Sequence, residues 1–149
     1  MTGAILSDVQ LDERYVPIFD RIAEGSIARE RNRELAHDAV KWLKESGFTA
    51  LRVPRAYGGG GITLPQFFRQ LTRLGAADSN LPQILRAHFG FIEYRLEGND
   101  EALRRRWLER VANGETVGAA TSERTGSTHN SVTLTHDAAR NVLPRSSIK

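Results

Sequence analysis

The sequence predicts a mainly α fold followed by the start of a β region. Three observations carry this. Apolar residues recur at three- and four-residue spacing through most of the chain up to Val111. Capping residues stand in front of two of these runs, at Thr63 and at Asp78-Ser79-Asn80. After Gly114 the period changes, and Ser131-Val132-Thr133-Leu134-Thr135 alternates with period two, as a half-buried strand does. The predicted units are a helical domain over 1–114 and the start of a β domain over 115–149.

The first helical stretch is predicted near 13–46. Ile18, Ile22, Ala36, Ala39, Val40 and Leu43 form its apolar side. Pro17 fits a first turn, where a missing N–H costs nothing. Gly25 marks a kink or a break into two helices. Gly47 fits the residue just past the helix end. The charged run Arg29 to Glu34 reads as a solvated face. A second helix, near 64–75, opens on a capping box of Thr63 and Gln66. Phe67, Phe68, Leu71 and Leu74 form its stripe, and Gly75 ends it. A third, near 80–97, presents Leu81, Ile84, Leu85, His88, Phe89, Ile92 and Leu96 on one broad face. A fourth, near 100–113, is capped by Asn99, buries Trp107, Leu108 and Val111, and stops at Asn113-Gly114.

The chain has 149 residues, 40% of them hydrophobic and 26% charged, which suits a globular domain. No apolar run approaches the roughly 20 residues of a membrane span. The N-terminus lacks the basic and apolar regions of a signal peptide. There is no cysteine, so thiolate metal sites and disulfides are excluded. These features fit a cytoplasmic location with no membrane partner. The net charge of +3 comes from 21 basic and 18 acidic residues that are interspersed. A dedicated nucleic-acid binder more often segregates its charge, so no specific nucleic-acid partner is expected. The histidines His37, His129 and His136 lack metal-ligand spacing, and no metal is assigned.

The stretch Gly47-Phe48-Thr49-Ala50-Leu51-Arg52-Val53-Pro54-Arg55-Ala56-Tyr57-Gly58-Gly59-Gly60-Gly61 ends one helix and turns into the next. A phosphate loop is disfavoured because no Gly-Lys-Ser/Thr follows. This stretch resembles the loop between early helices of the acyl-CoA dehydrogenase family. The segment Gly114-Glu115-Thr116-Val117-Gly118-Ala119-Ala120-Thr121-Ser122-Glu123 resembles the same family's flavin-facing motif, at about the usual separation. Leu43 to Phe48, Leu71 to Asp78 and Glu101 to Gly114 also match its N-terminal helical domain. Ser79-Asn80-Leu81-Pro82 and Arg86 to Glu93 look like a branch of flavin-dependent organosulfur monooxygenases and sulfur-acquisition oxidoreductases.

The resemblance implies an N-terminal helical domain of the acyl-CoA dehydrogenase type and a flavin-dependent oxidoreductase, dehydrogenase or monooxygenase. It implies FAD or FMN as cofactor, a small-molecule or acyl-CoA substrate, and a homo-oligomer in the complete enzyme. It places Thr121 and Ser122 at the isoalloxazine edge, Gly126 and Ser127 at the pyrophosphate, and His88 near the flavin as a catalytic donor or base. Read without the resemblance, His88 is equally a packed core histidine, and Thr121 and Ser122 are ordinary strand residues. The sequence departs from the family at several points. Glu123-Arg124-Thr125-Gly126 is one residue short, Ala119 replaces an Asn common in the monooxygenase branch, and the strand ending in Asn-Gly-x-Lys is missing. The chain therefore reads as an incomplete N-terminal part that binds flavin weakly or not at all by itself. The rival reading is a non-enzymatic basic helical module that binds a protein or a nucleic acid.

Overall fold

The computed structural model describes residues 5–119. The chain divides into a helical unit, Met1–Gly118, and a second unit, Ala119–Lys149. The alternating stretch Ser131 to Thr135 lies outside the described residues. Among the described residues are five α-helices and two single 3-10 turns: α1 (Asp8–Asn32), α2 (His37–Glu45), the turns Phe48–Ala50 and Arg55–Tyr57, α3 (Leu64–Ala77), α4 (Asn80–Glu97) and α5 (Glu101–Ala112). The mainly helical expectation therefore holds.

The first helical stretch differs from its expectation in two ways, both with local causes. A capping box starts α1 early. The Ser7 hydroxyl accepts from the Gln10 N–H at 3.3 Å, and Gln10 Oε1 accepts from the Ser7 N–H at 2.9 Å. Pro17 consequently lies inside the helix, not in its first turn. The break comes at Arg33, which adopts a left-handed φ of 54° and caps the carbonyls of Arg29 and Glu30. Gly25 breaks nothing. A Cβ there would meet Arg29 Nη1 at 2.5 Å, so the bare backbone leaves room for the Arg29 guanidinium.

That guanidinium overturns the solvated reading of Arg29. It folds back along α1 to donate to the Ile22 carbonyl at 2.7 Å and to Asp78 at 2.9 Å. Asp78, whose side chain is only 5% exposed, also accepts from the Asn80 N–H at 3.0 Å and so caps α4. Asp100, not Asn99, caps α5 by accepting from the Leu103 N–H at 2.9 Å.

Two residues of the predicted stripes face outward instead. Phe68 on α3 and Ile84 on α4 are exposed, while Gln70 is buried and donates to Asp12 at 2.9 Å. Helix α3 also runs through Gly75 to Ala77. Gly47 does take the left-handed position past α2, with φ of 80°.

Helices α1 and α3 run side by side in the same direction. Gln66 reaches the Leu6 carbonyl, Arg69 pairs with Asp8, and Arg73 pairs with Asp12 at 2.8 Å. Phe48, from the first 3-10 turn, is the hub of the core. Its ring lies edge-on to Tyr15 at 5.3 Å, Phe19 at 5.5 Å and Phe89 at 6.2 Å, and Phe67 meets Phe89 at 4.9 Å. Among the described residues no helix is long and apolar enough to cross a membrane.

Candidate functional site

The glycine turn after Pro54 is closed on itself. The N–H groups of Gly58, Gly59, Gly60 and Gly61 donate to the carbonyls of Arg55, Pro54, Ala50 and Val53 at 2.9–3.2 Å. A Cβ on Gly59 would lie 2.2 Å from the Val53 carbonyl oxygen, and one on Gly60 would lie 2.9 Å from that of Leu51. The glycines therefore serve close backbone packing, and their donors are not offered to a phosphate.

His88 projects from α4 into the core and is 1% exposed. Its Nε2 lies 2.9 Å from the Thr49 carbonyl oxygen, and its Nδ1 accepts from the Val117 N–H at 3.2 Å. A carbonyl can only accept and a backbone N–H can only donate, so the ring is neutral with its proton on Nε2. Burial, the largest influence, holds the His88 pKa below the ordinary histidine value. The bond to Thr49 opposes this, and the nearby Lys44 charge adds to it. The histidine thus joins the first 3-10 turn to the segment that leaves α5.

A second clasp holds the same segment. Arg110 Nε donates to both oxygens of Glu115, at 2.9 and 2.8 Å, and the Glu115 N–H donates to the Arg110 carbonyl at 3.1 Å. The Arg110 bond draws the Glu115 pKa below the usual carboxylate value. Between them, Gly114 turns the chain with φ of 90°. Sequence reasoning missed Val117 and Arg110 because one partner is a main-chain group and the other sits on an otherwise ordinary charged helix. Thr121, Ser122, Gly126 and Ser127 lie outside the described residues.

An open groove of about 490 Å³ lies elsewhere, between Ser26, Ile27 and Glu30 of α1 and the Gly75 to Asn80 corner. It shares no residue with the His88 neighbourhood.

Comparison with known sequences matches most of this helical unit. The profile of the acyl-CoA dehydrogenase N-terminal domain matches residues 13–115. The chain belongs to the acyl-CoA dehydrogenase family. Flavin-dependent oxidoreductases make up this family, and its members generally bind FAD. The YdbM protein of Bacillus subtilis (strain 168), which carries an acyl-CoA dehydrogenase name, is 28% identical over 118 residues. That match covers 77% of this chain and 31% of YdbM. The mitochondrial very long-chain specific acyl-CoA dehydrogenase of Mus musculus is 36% identical over 84 residues, covering 55% of this chain and 13% of the mouse protein. The chain thus spans about a third of one acyl-CoA dehydrogenase relative and about an eighth of the other.

Proposed function

We propose that this chain supplies the N-terminal helical wall of an FAD- or FMN-dependent oxidoreductase. The match over residues 13–115 supports this most directly, because it ends where the clasped segment begins. In this reading Thr121 and Ser122 bond the edge of the flavin ring, and Gly126 and Ser127 approach its pyrophosphate. The flavin, when bound, accepts the electrons. The chain's own residues orient it and exclude water from one side. The substrate is an acyl-CoA or another small molecule, and the complete enzyme is a homo-oligomer. The Ser79 to Pro82 and Arg86 to Glu93 segments favour the monooxygenase branch.

The basic-module reading loses ground to the pairing of its cations. Arg29, Arg52, Arg69, Arg73, Arg104, Arg105 and Arg110 all pair with carboxylates of the chain itself. The reading is tested by joining this chain to the remaining domains of YdbM and measuring flavin per chain after reconstitution with FAD and with FMN. Near-stoichiometric flavin that falls in Ser122→Ala is expected. A folded fusion that takes up neither flavin overturns the reading.

A further inference from the structure

Among the described residues, His88 is the one buried titratable side chain whose two ring nitrogens tie together separate backbone segments. Thr49 sits in the 3-10 turn that carries Phe48, the hub of the core. Val117 sits in the irregular segment after α5, with exposed neighbours at Thr116 and Gly118. A half-buried backbone N–H with no helical partner needs an acceptor, and a bare imidazole nitrogen supplies one. The ring can accept there only while its proton stays on Nε2, and the Thr49 carbonyl holds the proton at that nitrogen. The turn therefore selects the tautomer, and the tautomer fixes the exit segment.

We propose that His88 is a positioning residue: through its Nε2-protonated neutral tautomer it sets the path by which the chain leaves the helical domain at Val117. Thr121 lies only four positions beyond that anchor. The link to flavin rests on the function proposed above, but the anchoring itself does not. A direct donor to a reacting group would have to release the Thr49 carbonyl; a positioning residue keeps it.

The two bonds are separable by substitution. In His88→Asn the side-chain oxygen stands near the place of Nδ1, so the acceptor for Val117 is kept and the bond to Thr49 is lost. In His88→Gln the amide nitrogen stands near the place of Nε2, so the bond to Thr49 is kept and the acceptor for Val117 is lost. Hydrogen exchange of the Val117 amide, with Leu108 in α5 as internal control, reads the difference in the chain as it is. Exchange at Val117 should be at least tenfold faster in His88→Gln than in the parent. In His88→Asn it should stay within about threefold of the parent, both ratios being taken relative to Leu108, whose rate reports any change in global stability. Equal rates in the two folded variants, or an unprotected Val117 in the parent, overturn the proposal.

If either variant fails to fold, nitrogen shifts of the unmodified His88 ring decide. A neutral ring protonated on Nε2 sustains the proposal, and a ring protonated on Nδ1 overturns it. Flavin content of the YdbM fusion is a separate measurement. Val117 protection without flavin uptake would sink the functional reading and leave the anchor standing.

Discussion

Arg52 grips Glu93 with two parallel bonds, Nε to Oε1 at 2.6 Å and Nη2 to Oε2 at 3.0 Å. Its remaining nitrogen, Nη1, donates to the Ile62 carbonyl. One guanidinium thus binds α4 to the strap that follows the glycine turn. Only a planar fork does this, because an ammonium cannot make both parallel bonds at once. Arg52→Lys is expected to lose most of what Arg52→Ala loses, about 1–3 kcal/mol by urea unfolding. A lysine variant as stable as the parent would show that charge alone suffices.

Asp78 carries two jobs at a nearly closed position, as partner of Arg29 and as cap of α4. Asp78→Ala should cost about 2–4 kcal/mol, since it strands a guanidinium that is mostly buried and uncaps a helix. Asp78→Asn should fall between the two, because its amide oxygen keeps the cap. Chemical denaturation that ranks Asn no better than Ala would refute the capping half of this account.

The glycines differ in what they tolerate. Gly59→Ala places a methyl 2.2 Å from a backbone oxygen and should cost more than about 3 kcal/mol. Gly90 is exposed inside α4, and a methyl added there would meet nothing within 4 Å, so Gly90→Ala should gain about 0.5–1 kcal/mol. Thermal melts of the two variants moving in the same direction would contradict this.

Acid should loosen the fold partly through His88. Its folded pKa lies below the unfolded value of about 6.5, so the unfolded chain binds the extra proton first. The stability it contributes is complete above that value and is lost as the pH falls from there towards the folded pKa. The difference in unfolding free energy between the parent and His88→Asn should therefore shrink on acidification below about pH 6.5. A difference that stays constant between about pH 8 and about pH 5 would dismiss the linkage.

By itself the chain should hold flavin poorly. The residues assigned to the ring and the pyrophosphate belong to one short segment, and a pocket needs walls on its other sides. Isothermal titration with FAD and with FMN is expected to give no submicromolar binding; a submicromolar constant for either flavin would prove this expectation wrong.

How far the fold can be read from sequence depends on the range of the interaction. The Thr63–Gln66 box, Gly47 and the Asn113-Gly114 stop are local signals, and each marks an element boundary in the structure. The Ser7–Gln10 box is equally local, and leaving it out displaces the start of α1 and puts Pro17 in the wrong turn. Gly25 misleads because its reason is the Arg29 side chain, and that chain takes its course from Asp78, 49 positions away. At the candidate site, periodicity puts His88 on the buried face. It cannot supply Thr49 and Val117, because both partners offer main-chain atoms that every residue type shares.

The pairing of α1 with α3 has a kinetic consequence. Asp8 with Arg69 and Asp12 with Arg73 join positions about sixty apart, while α3, α4 and α5 follow one another across short connections. Closing the longer loop costs more entropy before any contact repays it. The three later helices are therefore expected to assemble first, with α1 docking after the rate-limiting step. Leu108→Ala should then slow refolding, whereas Leu11→Ala should chiefly speed unfolding. Synthesis from the N-terminus would then make the longest helix of this domain wait for its partners.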